Sequence, residues 1–325
     1  MSFCTKNHLG FSLGFFTLTF PVSTEYNLGI NSDVLAALKA TGKGYQTKIN
    51  DILKASSFRI RKSKMALVYT EVFAQSFMRP VSLCAIIPAE ESAPDASGQR
   101  AQVQETKPLK TLYLLHGLYG CHTDWLTLTN IRRYATEKHI AVIMPAAENA
   151  FYIDGKLPGQ QYGAFVGDEL IRLTRRLFHL STERKDTVIA GLSMGGAGAI
   201  RAACLYPQNF GAAAGISSAF LTREQLSPEH PVFTPEWAKG IFGSIANMES
   251  EYKNVVLKMK ESVQGKAYPQ FSLECGTSDG FIGINRDFHR FLQEQGIEHF
   301  YEESTGGHEW PLWDSGIKKV INRFF

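Results

Sequence analysis

The sequence predicts an α/β fold with a mainly parallel central sheet, and three observations carry that prediction. From Leu67 onward, short apolar strand-like runs alternate with stretches of helical spacing, the order that winds a parallel sheet between layers of helix. One such run, Thr187-Val188-Ile189-Ala190, empties into Gly191-Leu192-Ser193-Met194-Gly195-Gly196 and then into a small-residue helical stretch ending near Pro207. A G-x-S-x-G turn therefore stands between a strand and a helix. Another run, Thr111-Leu112-Tyr113-Leu114-Leu115, is apolar at every position, as a strand covered on both faces must be, and it leads into His116-Gly117.

At 325 residues the chain holds one large α/β domain plus something small. With 44% hydrophobic and 20% charged residues it is globular rather than disordered or fibrous. Charge is unevenly spread: residues 1–64 carry a net +6 and the remainder a net −3, so the basic surplus belongs to the N-terminal segment. No apolar run is long enough to span a bilayer. Residues 9–20 are apolar, but only Lys6 precedes them and Pro21-Val22-Ser23 is a poor cleavage site, which reads against export. The five cysteines (Cys4, Cys84, Cys121, Cys204 and Cys275) form no C-x-x-C pair, so neither a disulfide framework nor a zinc site is indicated. Cys84, Cys204 and Cys275 read as small buried hydrophobes, and the usage suits a reducing cytoplasm.

The elements follow in order. Residues 24–30 alternate, with Tyr26, Leu28 and Ile30 on one face, and read as a strand. Asn31 or Ser32 caps a helix over 33–39, Thr41-Gly42-Lys43-Gly44 stops it, and a second helix follows over 46–56. A basic linker over 56–64 sets the domain boundary, leaving 1–64 as an extension and 65–325 as the main domain. Strands over 67–73 and 81–87 are joined by a turn near Arg79-Pro80, and the hydrophilic stretch 89–107 is a surface loop. A helix over 130–138 returns to a strand over 140–144, whose C-terminal end carries residues 148–152 onto the site face. An amphipathic helix over 162–178 precedes the Ser193 strand, and a strand over 211–216 follows its helix. Residues 219–266 break the alternation with Pro228, Pro231, Pro235 and Trp237 and then a charged helix over 249–261, and read as a cap-like insertion. The alternation resumes with a strand over 270–275, a helix over 285–295, a strand over 298–303 and a terminal helix over 312–324.

The chemistry starts at Ser193. Side chains at 191 and 195 would collide with neighbouring chain in so tight a turn, and glycine removes the collisions. The helix behind the turn favours a developing negative charge. A serine nucleophile needs a base, and the base an orienting acid, downstream in the order Ser, acid, His. Of His230, His289, His299 and His308, the last stands in the loop Thr305-Gly306-Gly307-His308 between a strand and a helix, and is the expected base; the other three read as surface or hydrogen-bonded structural residues. Asp279, in the turn after the penultimate strand, is the expected acid, with Glu309 and Asp314 as rivals near the histidine. The backbone N–H groups of Met194 and Leu118 are the expected oxyanion donors. Phe151, Tyr152 and Trp237 wall an acyl pocket in one reading and pack in the core in the other.

Taken together, His116-Gly117-Leu118-Tyr119-Gly120, Thr123-Asp124-Trp125, Asn149-Ala150-Phe151-Tyr152, Gly191-Leu192-Ser193-Met194-Gly195-Gly196, Gly276-Thr277-Ser278-Asp279 and Gly307-His308-Glu309-Trp310 resemble the esterase D and tributyrin-esterase family, which includes S-formylglutathione hydrolases and relatives acting on acetylated or feruloylated plant polysaccharides. The resemblance covers 65–325. It implies the α/β-hydrolase fold and a serine carboxylesterase acting on small esters, without metal or organic cofactor. An S-formylglutathione thioesterase and an acyltransferase stay open beside it, as does a homo-oligomer. Separately, residues 24–56 resemble a ribbon-helix-helix antitoxin module, which implies that Glu25 and Asn27 face DNA and makes a DNA-binding regulator with a passenger hydrolase domain the non-enzyme alternative. The other reading, preferred here, is an appendage without a DNA role, since Met65 stands where enzymes of the esterase family often begin.

Overall fold

The computed structural model describes residues 15–18, 26–29, 65–89, 107–263 and 268–325. The chain divides into two compact units, Met1–Lys62 and Ser63–Phe325. In the first, β1 (Phe15–Leu18) and β2 (Tyr26–Gly29) pair antiparallel, Phe16 opposite Leu28. β2 lies inside the strand expected over 24–30. The two helices expected after it and the basic linker lie outside the described residues.

The second unit is built on eight strands: β3 (Met65–Ala74), β4 (Arg79–Pro88), β5 (Thr111–Leu115), β6 (Ala141–Pro145), β7 (Thr187–Leu192), β8 (Ala212–Ile216), β9 (Gln270–Gly276) and β10 (His299–Ser304). Their order across the sheet is β10-β9-β8-β7-β5-β6-β4-β3. The six strands from β5 to β10 run parallel; β4 lies antiparallel to β6 and forms a hairpin with β3. The hairpin turns before Arg79-Pro80, where it was expected. Phe77 N–H donates to Ala74 O (3.2 Å), Met78 takes φ 53°, and Arg79 and Pro80 already pair with Ala74 and Phe73. The buried Glu169 carboxylate fixes the turn there, accepting the N–H groups of Gln75 (2.6 Å) and Ser76 (2.8 Å).

The helices are α1 (Asp124–Leu128), α2 (Ile131–Lys138), α3 (Tyr162–Ala164, a π turn Phe165–Glu169, then Leu170–Leu177), α4 (Met194–Leu205), α5 (Pro235–Phe242), α6 (Ile245–Val263), α7 (Ile282–Glu294) and α8 (Trp310–Phe324). Two were not foreseen. α1 is too short to show a helical period; the buried Trp125 indole pins it by donating to Leu115 O (2.9 Å). α5 hides in the proline-rich stretch but has its own punctuation: Thr234 Oγ1 accepts the Trp237 N–H (3.1 Å), Pro235 opens the first turn, and Gly243 at φ 79° closes the last.

Side chains alternate across the sheet and feed two cores. Leu115, Ile189, Ala213 and Phe271 belong to the core that also holds residues of α3, α4 and α6; Leu114, Val188, Ala190, Ala214 and Ile216 belong to the one that holds residues of α2 and α8. With both faces covered, β5, β6, β7 and β8 are buried along their whole length and read as nearly continuous apolar runs. Because β5, β7, β8, β9 and β10 run the same way, their carboxyl ends share one rim, where a site is expected in such a sheet.

Candidate active site

Register continues past the strand ends and sets the rim residues side by side. Leu115 pairs with Gly191 and Leu192 with Ile216. One step on, Ser193 N–H donates to Ile216 O (2.9 Å) and Ser217 N–H to Glu274 O (2.7 Å). Thr277 N–H donates to Ser304 O (2.8 Å) and Ser278 N–H to Gly306 O (2.9 Å). The loops carrying Asp279 and His308 are thereby laced together.

Ser193 sits at φ 52°, ψ −120°, a region side chains rarely adopt, directly before α4. A Cβ on Gly191 would lie 2.4 Å from the Gly195 backbone, and one on Gly195 would lie 2.5 Å from His116 O. The turn is thus closed by the absence of those two side chains. Met194 is the first residue of α4, so its N–H has no partner within the helix. The Leu118 N–H likewise donates to no described residue.

The Leu118 loop is held from below. His116 Nε2 accepts the Ala147 N–H (3.0 Å), which puts the ring proton on Nδ1, donated to Gly117 O (2.7 Å). Burial first of all lowers the pKa of this imidazole and keeps it neutral. Tyr152 Oη–H donates to His116 O (3.0 Å), and Tyr119 N–H to Asn149 Oδ1 (2.8 Å).

His308 Nδ1–H donates to Asp279 Oδ2 (2.9 Å); the carboxylate side chain is 1% exposed and the imidazole 36%. Burial alone would push the Asp279 carboxyl up. Hydrogen bonds from His308 and from the Phe281 N–H (2.8 Å), helped by the nearby Ser217 hydroxyl, outweigh it, and the group lies below its ordinary value. The rival acids turn elsewhere: Asp314 accepts from Asn130 and Tyr134, and Glu309 from the Gly307 N–H. His289 and His299 bond to each other (2.7 Å). Trp313 and Phe281 present their rings edge-on to the His308 ring at 5.0 and 5.1 Å, and Trp313 Nε1–H donates to Ser217 Oγ (3.2 Å). Ser217, fully buried at φ 50°, was not singled out from the sequence, although the carboxyl end of its strand pointed to this rim.

Ser193, His308 and Leu118 line one cavity of about 480 Å³, closed on another side by residues 230–233. No hydrogen bond joins Ser193 to His308, a common state of such pairs without substrate. Phe151, Tyr152 and Trp237 do not line this cavity. Phe151 and Tyr152 are buried, and Phe151 packs edge-on against Trp237 (5.1 Å). Of the two readings of these aromatics, core packing describes where they lie. His230, read as a surface or hydrogen-bonded structural residue, accepts the Val232 and Phe233 N–H groups and also reaches the cavity wall. Among the described residues no cluster of side chains could hold a metal ion, and no helix is long and apolar enough to cross a membrane.

This fold and rim define an α/β-hydrolase-fold serine hydrolase. The chain belongs to the esterase family, whose model matches residues 99–323. It is 32% identical over 267 residues to an acetyl esterase of Caldicellulosiruptor saccharolyticus, covering 80% of this chain and 97% of that protein. The structure is similar to the fluorophosphonate-binding serine hydrolase F of Staphylococcus aureus (28% identity, TM-score 0.69) and to an S-formylglutathione hydrolase of the same organism (28%, TM-score 0.67), each match covering 80% of this chain and 98% of the other. A ferulic acid esterase at 19% identity, 81% and 99% covered and with TM-score 0.63, shares the fold. The protein is a carboxylic ester hydrolase. Residues 23–56 match the family of BrnA antitoxins of type II toxin-antitoxin systems.

Proposed function

We propose that the protein is a serine carboxylesterase for short acyl esters, with Ser193 as nucleophile, His308 as general base and then acid, and Asp279 as the carboxylate that orients the imidazole. His308 Nε2 takes the Ser193 proton as Oγ attacks the ester carbonyl. The N–H groups of Met194 and Leu118 receive the oxyanion. The alcohol leaves with the proton from His308, and water releases the acid from the acyl-enzyme by the same route. The observation that carries this reading is the His308–Asp279 hydrogen bond of 2.9 Å, which leaves Nε2 free on the wall of a cavity it shares with Ser193.

An acetyl ester is the first substrate to try, given the acetyl esterase relative; feruloyl esters, S-formylglutathione and transfer to an added alcohol are the other arms of the same panel. Ser193→Ala should lower turnover of a short nitrophenyl ester by at least about 10⁴-fold and abolish labelling by a fluorophosphonate, with the fold intact by circular dichroism. Unchanged turnover would rule the reading out. In this reading residues 65–325 form the hydrolase domain, 219–266 its cap and 1–64 an extension. The free thiols Cys84, Cys121, Cys204 and Cys275 support a cytoplasmic location. The antitoxin match supports a second, separate reading, duplex DNA binding by the extension; a salt-dependent gel shift of the full chain tests it.

A further inference from the structure

We propose that His230 is the positioning residue for one wall of the ester cavity, and that Val232, which it holds in place, sets the size of acyl group accepted. The inference rests on the reading of Ser193 as the nucleophile.

The stretch that reaches the cavity, residues 230–233, belongs to no helix or strand. Pro228 and Pro231 have no N–H to give, so little backbone bonding is available to fix its shape. What fixes it is one side chain. His230 Nδ1 accepts two N–H groups at once, from Val232 (3.0 Å) and Phe233 (2.7 Å). An atom accepting from two amides carries no proton, so the ring proton lies on Nε2. Around this centre the loop closes: Ser227 N–H donates to Phe233 O (3.0 Å) and His230 N–H to Ser227 O (3.1 Å).

The imidazole also stacks on Phe233, centroids 4.7 Å apart and planes 15° from parallel. Phe233 in turn meets Trp237 at 5.2 Å and Phe151 at 6.2 Å. The wall is thus tied through Phe233 to the buried aromatics, with Pro231 and Val232 left on the cavity side. An Asx turn does the same with a side-chain oxygen. Asparagine can therefore replace His230: its amide oxygen stands at the reach of Nδ1 and accepts the same N–H groups, yet it cannot act as a general base. That separates a positioning role from a catalytic one.

The experiment is steady-state kinetics of the full chain on nitrophenyl acetate, butyrate and octanoate, with Ser193→Ala run alongside. His230→Ala should raise KM for acetate about tenfold while kcat stays within about threefold, since two hydrogen bonds shaping the wall are lost and no reacting atom is touched. His230→Asn should keep KM within about twofold of the parent. Val232→Ala should shift preference toward octanoate and Val232→Phe away from it, and these two carry the test if His230→Ala does not fold. The proposal is overturned if His230→Ala keeps the parental KM, if His230→Asn is as impaired as alanine, or if neither Val232 variant moves the chain-length profile. If Ser193→Ala retains turnover, the reading of the site falls instead; a dead Ser193→Ala with a flat His230 series sinks this inference alone.

Discussion

Ser193 owes its place on the cavity wall to a strained backbone, and Asp279 owes its charge to hydrogen bonds. The carboxylate is buried, which taken alone favours the neutral acid, yet the His308 and Phe281 N–H groups both donate to it. Removing its charge while keeping its shape should therefore be severe: Asp279→Asn is expected to lower kcat by about 10³–10⁴-fold, because an amide can turn its NH₂ toward Nδ1 and favour the wrong imidazole tautomer. Ser217 is the gentler test. Its hydroxyl accepts from Trp313 and helps keep the nearby carboxylate charged, so Ser217→Ala removes one polar group from beside the charge. We expect kcat to fall about tenfold with KM nearly constant, as for the loss of one polar interaction, worth about 1.5 kcal/mol, with a charged group. Steady-state assays at one pH distinguish the two variants. Equal effects would contradict the ranking.

At the level of elements, two glycines make opposite predictions. A Cβ on Gly195 would sit 2.5 Å from His116 O and 2.6 Å from Leu115 O, so β7 and α4 would have to part from β5 to admit it. Gly195→Ala is expected to cost about 3 kcal/mol or more, read as a fall in urea midpoint, because rigid backbone must move. Gly240 lies inside α5 with nothing within 4 Å of a Cβ and no positive φ. Gly240→Ala should stabilise by about 0.5–1 kcal/mol, through a less flexible unfolded chain. The same contrast explains what was legible in the sequence. The Ser193 turn could be read because its chemistry is local: strand, G-x-S-x-G and helix are contiguous. The strands could be read because both faces are covered. Ser217 could not, because its role comes from segments distant in sequence, the end of β8 beside the Asp279 loop and Trp313 of α8; His230 makes its bonds locally, to Val232 and Phe233, but which cavity its loop faces is set by the fold. Phe151 and Tyr152 could be read two ways, as pocket walls or as core, because the sequence does not show that both take positive φ, 54° and 55°, in a turn that leaves their rings buried. α1 was missed because five residues show no period.

On the acid side of neutrality the shifted histidines and carboxylates of the second unit share one sign. His116 is buried and neutral, with a pKa lowered chiefly by burial, and His289 is lowered by burial and then by His299. In the unfolded chain each would take up a proton near pH 6.5, so between that pH and its folded value the unfolded state binds more protons and stability rises with pH. That contribution is whole above about pH 6.5 and is lost as pH falls toward the folded values. Asp279 and Glu303 are depressed acids; Glu303 is held at about 2 by Arg286 first and Tyr301 second. Their contribution is whole above the unfolded carboxylate range near pH 4 and disappears as pH falls through the folded values. The urea midpoint should therefore be flat around neutrality, fall in a first step below about pH 6.5 and fall again below about pH 4. His116→Gln keeps an acceptor within reach of the Ala147 N–H but cannot titrate, so it should shrink the first step and leave the second untouched. A parental midpoint that does not change between pH 7 and pH 5 would show that His116 takes up its proton without leaving the fold, and that the Leu118 loop can stand on a charged imidazole.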